Sequence, residues 1–463
     1  MKKRSAQGVF MQKIWGKRVL LPDGWAQDTE ININQMGQID SIVTDTSPSG
    51  LEFDTLLPAP MNLHSHCFQR AMTGLSETST HQSNDFWSWR EFMYKFLNAI
   101  SPENFEAICA FAQMEMLEAG YGGLTEFHYV HNDLAGNRYN ERSEMSQRVI
   151  NASYLSGIGL TLLPVLYEHG GISGSPLISG QDRFGLNFEE YYNLVNQLNS
   201  STKNFSDVKV GVAAHSLRAV KPESLIELEK QFSGYPIHIH VAEQVKEVQE
   251  IEQNWGRTPI EWLIENTNLN HDWCLIHCTQ MSDMEATELA KSGAVIGLCP
   301  ITEANLGDGI FNGKTWLEAG GRFGIGTDSN VSISLFGELK MLEYSQRLKQ
   351  KSRLAMKTGI DLSIGRELFD WILEGGAMSS GRKCGLIKES YWADILALDL
   401  TSMHYSHLKD DEKLNYIIFS ESRNVIDSVF SAGRHVVNNG QHCRRKDIES
   451  AYKKALKQIS NIL

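Results

Sequence analysis

The sequence predicts an α/β protein: a TIM-type (β/α)8 barrel carrying a small β-domain built from both chain ends. Three observations lead there. Short apolar segments alternate with amphipathic stretches between about residues 58 and 385. The two ends of the chain share a texture of short strands broken by turns. Titratable residues recur where the central strands stop. Strands alternating with helices imply a parallel sheet with helical crossovers. In a closed barrel the active site lies at the C-terminal ends of the strands, where these residues fall.

The opening residues read as strands such as Lys17-Arg18-Val19-Leu20-Leu21 and Ile39-Asp40-Ser41-Ile42-Val43. A Pro22-Asp23-Gly24 turn signal closes the first of them. The run Thr55-Leu56-Leu57-Pro58 reads as the last part of the buried strand that leads to His64. Seven further barrel strands are expected at 123–128, 160–165, 210–215, 236–241, 273–277, 294–298 and 322–327. β texture returns at 393–398, 425–430 and 435–438. Neither end is long enough to build a core alone, so the two are expected to pair. The division that follows is a discontinuous small domain (1–57 and 386–446), a barrel (58–385) and a closing helix (447–463).

Hydrophobic residues make up 41% of the 463, enough for a well-buried core. The formal net charge of −13 argues against non-specific binding to nucleic acid or to an anionic membrane. The seven cysteines are scattered, with no CxxC, so neither a disulfide framework nor a cysteine zinc site is signalled. Met1-Lys2-Lys3-Arg4 is not followed by an apolar signal-peptide core, and no run of about 18 apolar residues exists to span a bilayer. A soluble, cytoplasmic protein is expected.

Side chains alternate along a strand, so His64 and His66 point to one side and can share a metal ion. Alone, such a pair is more often two hydrogen-bonded surface histidines. Here other strand ends add His215, His238, His240 with Glu243, His277 and Asp328. Any one of these is only a candidate, but their recurrence on five strands is hard to ascribe to chance. Three imidazoles and one carboxylate suit Zn²⁺ or Fe²⁺ and leave a position for water.

This arrangement resembles the amidohydrolase superfamily. The resemblance implies His64, His66, His240 and Asp328 as metal ligands, His277 as the catalytic sixth-strand histidine that orients the water or holds the tetrahedral intermediate, and Glu243 of a His240-Val241-Ala242-Glu243 run as the proton shuttle. Asp328 would be both ligand and possible proton acceptor. The fourth strand lacks the bridging lysine of two-metal members, so one divalent ion is implied, zinc ahead of iron. More specific blocks cover the barrel in order: 62–77, 86–94, 125–131, 163–167, 181–184, 214–220, 299–309 and 326–330. They resemble the formimidoylglutamate deiminases of histidine degradation. One position departs: His277-Cys278-Thr279-Gln280 has Gln280 where a second histidine is expected.

That likeness implies hydrolysis of N-formimino-L-glutamate to N-formyl-L-glutamate and ammonia, by a homodimer. Arg90 and Arg218 would clamp the carboxylates of this small-molecule substrate, since a guanidinium fork pairs bidentately with a carboxylate. By resemblance Gln69, Tyr129 and His215 join them. Without the likeness, Arg90 would read as a surface partner of Glu91 and Arg218 as a helix-start charge. The Trp87/Trp89 pair reads as packing. Gly324-Ile325-Gly326 and Gly307-Asp308-Gly309 read as turns, not phosphate cradles. Two rivals stay open: another deaminase of this barrel class, acting on guanine, cytosine or a triazine, and a metal-binding scaffold that has lost catalysis.

Overall fold

Strand β1 (Gln12–Leu21) turns through the expected Pro22-Asp23-Gly24 into β2 (Gly24–Ile33), its antiparallel partner, and β3 (Ile39–Val43) extends the hairpin. The computed structural model describes residues 12–462 apart from 78–85, 173, 179, 204–206, 360–362 and 421–424; residues 1–11 and Leu463 lie outside the described residues. Strand β4 (Leu51–Pro58) runs parallel to β1. The run Thr55–Pro58 therefore belongs to this terminal sheet and is not part of the barrel strand leading to His64. Pro60 has no amide hydrogen, and the Ala59 N–H bonds Asp394 O at 2.9 Å, so the chain changes partners here. Barrel strand β5 begins only at Met61 and ends at Ser65.

The barrel continues with β6 (Gly123–His128), β7 (Gly159–Leu166), β8 (Val208–Val210), β9 (Val212–Ser216), β10 (Ile237–Val241), β11 (Trp273–His277), β12 (Val295–Leu298) and β13 (Arg322–Ile325). The fourth strand, expected as one piece, is broken at Gly211, whose N–H pairs with Leu162 O while the next N–H pairs with Pro236 O. The spatial order is β5-β6-β7-β9-β10-β11-β12-β13, with β8 beside β7. All these pairs are parallel. Intervening helices start at designed stops. Asn187, Thr258 and Ser282 each cap an N-terminus, with Glu190, Glu261 and Glu285 reaching back to the cap N–H.

Strands β14 (Ile395–Leu398), β15 (Ile426–Ser431), β16 (Arg434–Asn438) and β17 (Gln441–His442) complete the terminal sheet. The two chain ends meet where β14 lies antiparallel to β4, with Leu57 opposite Leu396. Ile14, Ile31, Ile33, Leu56, Ile395 and Phe430 form a core of their own there. The last helix runs Arg445–Ser460. Among the described residues no helix is long and apolar enough to cross a membrane.

The barrel closes between its first and last strands. Ser65 bridges Asp328, the His66 N–H bonds Asp328 O at 2.9 Å, and the Asp328 N–H bonds His64 O at 3.0 Å. Side chains staple the same seam. Asn62 donates to Thr327 Oγ1 (2.6 Å) and accepts from the Thr327 N–H (3.0 Å). Asn330 Nδ2 lies within 3.0–3.1 Å of Ser65 Oγ, His66 O and Asp328 O, while its Oδ1 accepts from Thr327 at 2.6 Å. A Cβ on Gly326 would come within 2.5 Å of His64 O, so only glycine permits this approach. Asn62 and Asn330 are fully buried. Asn330→Ala would leave several buried polar groups without partners. We expect it to cost about 1–3 kcal/mol, visible as a lower urea midpoint with an unchanged slope.

Candidate metal centre and adjoining pocket at the barrel mouth

The seam and the end of β10 bring four donors together. His64 Nε2 lies 3.1 Å from His240 Nε2 and 3.4 Å from Asp328 Oδ1, and His66 Nε2 lies 3.2 Å from the same oxygen. All four donor atoms fall within 4.8 Å of one another, and all four residues are buried. The His66 Nδ1–H donates to Phe127 O and the His240 Nδ1–H to His215 O, each at 3.0 Å. These carbonyls fix the tautomers, so both Nε2 atoms carry lone pairs towards the centre. A lone-pair nitrogen 3.1 Å from another imidazole nitrogen is satisfied by a cation between them. The donor set fits a divalent ion.

The electrostatics agree. Burial holds His64 near a pKa of about 3, and burial with the neighbouring imidazoles keeps His240 well below its usual value. Burial works against ionisation of Asp328, but the adjoining His64 and His66 rings outweigh it and leave the carboxyl well below the usual range. Neutral imidazoles beside an ionised carboxylate are the protonation states a metal requires. His277, Cys299 and Asp328 also lie within reach of one another, but burial keeps the Cys299 thiol neutral. Lys209 sits at the opposite end of the barrel wall, its Nζ on Gly381 O.

Glu243 stands beside the cluster, 3.8 Å from His277 Nε2. Burial pushes its carboxyl up to about 7 although His277 opposes the shift. That is the range in which a carboxylate both takes and gives protons near neutrality. For His277, burial favours the neutral ring, but Glu243 and a bond to Glu303 (3.3 Å) raise it to about 10. The backbone here is bent into the left-handed region at Ala242 (φ 50°), His277 (74°), Cys278 (52°), Asp328 (45°) and Asn330 (56°). Such conformations cost energy and persist only where surroundings enforce them. At Ala242 the enforcer is the buried Glu247 carboxylate, which accepts the Ala242 and Glu243 N–H groups at 3.2 and 3.1 Å.

The adjoining pocket is lined by cluster residues and Glu243 together with Arg90, Arg218, Tyr129 and His215. Arg218 is buried, and its Nε has no hydrogen-bond partner among the described residues. The Arg90 and Arg218 guanidiniums lie 4.4 and 5.5 Å from the Trp87 ring. Gln69 Nε2 donates to the Tyr129 hydroxyl at 2.9 Å, leaving Gln69 Oε1 buried without a partner. Acceptors thus gather at the cluster and cationic donors on the facing wall.

The amidohydrolase family profile matches residues 55–436. The chain belongs to the amidohydrolase family. It is 41% identical to the formimidoylglutamate deiminase of Pseudomonas aeruginosa, over 97% of this chain and 100% of that one. The crystal structure of an amidohydrolase from Brucella melitensis superposes with a TM-score of 0.93 at 41% identity, covering 97% of this chain and 100% of that one. An adenosine deaminase from Xanthomonas campestris with bound zinc shares the fold at 17% identity and a TM-score of 0.79, covering 97% and 99% of the two chains.

Within this amidohydrolase, the expected residues divide clearly. His64, His66, His240, Glu243, His277 and Asp328 converge, and Gln69, Arg90, Tyr129, His215 and Arg218 lie on the same pocket or its immediate wall. His238 does not join them; its Nε2 faces Ser379 O at 2.8 Å. Trp89 packs on the core, whereas Trp87 meets the two guanidiniums and Lys246. Gln280, the departure from the family pattern, donates to Glu243 O at 3.3 Å and to Asp308 O.

Residues that the sequence did not single out support the site. Glu303 accepts from the Cys299 N–H at 2.9 Å, and the buried Glu126 accepts from the Cys67 N–H at 2.7 Å behind His66. The turn at Gly307–Gly309 is a turn, but its Asp308 is buried, bonded by Gln244, and pushed up to about 9 by burial and the nearby Glu243. No local spacing marks these carboxylates, because each meets the site through a residue distant in sequence: Glu303 through His277, Glu126 through Cys67 and Asp308 through Gln244. His240→Ala removes one of the four candidate donors; after zinc loading, elemental analysis should show bound zinc falling well below one equivalent, while His238→Asn should retain it.

Proposed function

We propose that this protein hydrolyses N-formimino-L-glutamate to N-formyl-L-glutamate and ammonia. The observation that carries the reading is one pocket with two chemically opposite ends. At one end are three imidazoles and a carboxylate fit for a divalent ion, with Glu243 and His277 alongside. On the facing wall stand Arg90 and Arg218, two fixed cations suited to a dicarboxylate. The full-length likeness to a formimidoylglutamate deiminase supports the same substrate.

His64, His66, His240 and Asp328 would hold the ion. Bound there, a divalent ion lowers the pKa of water from about 15.7 towards 7 and polarises the amidine. Glu243 accepts one proton from the attacking water as the C–O bond forms at the amidine carbon. It then delivers that proton to the terminal nitrogen, which becomes an amino group on the tetrahedral carbon. His277, held by Glu303 and facing Glu243, steadies negative charge on the oxygen as the carbon becomes tetrahedral. The hydroxyl proton left on that oxygen then passes through Glu243 or Asp328 to the amino nitrogen, the C–N bond breaks, ammonia departs, and a formyl carbonyl remains. Arg90 and Arg218 fix the substrate by its carboxylates, with Gln69, Tyr129 and His215 completing the wall. The reading takes zinc as the ion. It takes a homodimer and a cytoplasmic setting from the family resemblance.

A guanine, cytosine or triazine deaminase is the competing reading, and it gives the two arginines no work. Ammonia release by the zinc-loaded protein decides between them: we expect release from N-formimino-L-glutamate and none from guanine or cytosine. Release from a base alone would overturn the substrate and both arginine roles. Glu243→Gln should keep a full equivalent of zinc and lose turnover by roughly 10²–10⁴-fold, because it removes a proton carrier and no ligand. Arg218→Met should chiefly raise KM.

A further inference from the structure

Part of the pocket wall has no role in this chemistry. Tyr94, on the helix Phe86–Leu97, and Tyr167, just beyond β7, line the cavity with Arg90 and Arg218. Behind them lies Gln181, fully buried. Its orientation is settled by a backbone donor: the Ile178 N–H bonds Gln181 Oε1 at 3.0 Å, so the side-chain NH2 must face the tyrosines. That NH2 donates to the Tyr167 hydroxyl at 3.1 Å, and more weakly to the Tyr94 hydroxyl and Gly170 O, both at 3.4 Å. The loop reaches this position through Gly180 (φ 96°), where a Cβ would lie 2.6 Å from Tyr94 Cβ.

An NH2 only donates, so the Tyr167 oxygen serves it as an acceptor and the phenol hydrogen points elsewhere. The two hydroxyls are neighbours, and one hydrogen can serve the other oxygen. With the Tyr94 hydrogen on the Tyr167 oxygen, the Tyr167 hydrogen is left for the cavity. Arg90 and Arg218 on that wall can only donate, and the His215 Nδ1 is engaged with Ser216 Oγ at 3.1 Å. A wall of donors selects an acceptor. A carboxylate offers about four lone-pair sites, more than one guanidinium fork fills. Tyr129 stacks edge-on against His66 at 4.9 Å, whereas the Tyr167 ring meets His215 and Phe184, one step further from the cluster.

We propose that the Tyr167 hydroxyl, oriented by Gln181 and backed by Tyr94, is a further substrate-binding donor for the carboxylate remote from the amidine. This rests on the dicarboxylate reading given above. The segments 163–167 and 181–184, both part of the family likeness, thereby acquire a joint purpose: one supplies the donor and the other aims it.

The test is Tyr167→Phe in the zinc-loaded protein, with Gln181→Met as the variant that keeps the hydroxyl but loses its orientation. For Tyr167→Phe the KM for N-formimino-L-glutamate should rise roughly tenfold or more, the scale of one hydrogen bond to a charged group, with kcat nearly unchanged. Gln181→Met should shift KM in the same direction by less. The inhibition constant of N-formiminoglycine, which lacks the remote carboxylate, should be the same in the parent and in Tyr167→Phe. Equal weakening towards both compounds, a loss confined to kcat, or no change would overturn the proposal. Failure of the unmutated protein on N-formimino-L-glutamate would instead overturn the reading beneath it, and it would be recognised before any variant is made.

Discussion

The site depends on closing the barrel between β5 and β13. His64 and His66 sit at one edge of that seam and Asp328 at the other, so the four-donor cluster exists only when the first and last strands meet. The entropy cost of joining such distant positions grows only slowly with loop length. It must still be offset, and the seam shows how. Asn62, Thr327 and Asn330 exchange buried side-chain and backbone bonds across the junction, and Gly326 lets the last strand lie against the His64 backbone. Fold closure and ligand placement are one event.

Around the seam the backbone is strained where chemistry is concentrated. Five residues at or just beyond the ends of β10, β11 and β13 adopt left-handed conformations that L side chains avoid. Each turn redirects a functional side chain that a straight strand would leave along the barrel wall. Glu247 holds the turn that presents Glu243, and the bond from His277 to Glu303 holds the ring beside it. Buried carboxylates thus serve as anchors for strained turns. The result is a pocket with ionised and neutral groups already in the states that metal binding and proton transfer need, at little further reorganisation on binding.

The fold class was legible because two signals, short apolar segments alternating with amphipathic stretches and titratable strand ends, agree throughout the central region. The strand leading to His64 was misplaced, since an apolar run carries no mark of which sheet it joins; only the Pro58-Ala59-Pro60 interruption hints at the change. The HxH pair, His240, Glu243, His277 and Asp328 were readable from position alone. Glu247, Glu303, Asp308 and the Tyr94–Tyr167–Gln181 group were not. Some of their partners are near in sequence, as Ala242 and Glu243 are to Glu247, and others lie on distant strands and loops, but nothing in the residue pattern separates them from solvated polar residues. His238 shows the converse: its place one alternate position before His240 is visible, but its use as a partner for Ser379 O is a tertiary fact.

The most direct test is a crystal structure of the zinc-loaded Glu243→Gln variant soaked with N-formimino-L-glutamate. The account predicts an anomalous zinc peak among His64, His66, His240 and Asp328, the amidine carbon beside it, and the carboxylates against Arg90 and Arg218. Zinc elsewhere, or a substrate bound with its carboxylates at the cluster and its amidine on the arginines, would contradict it.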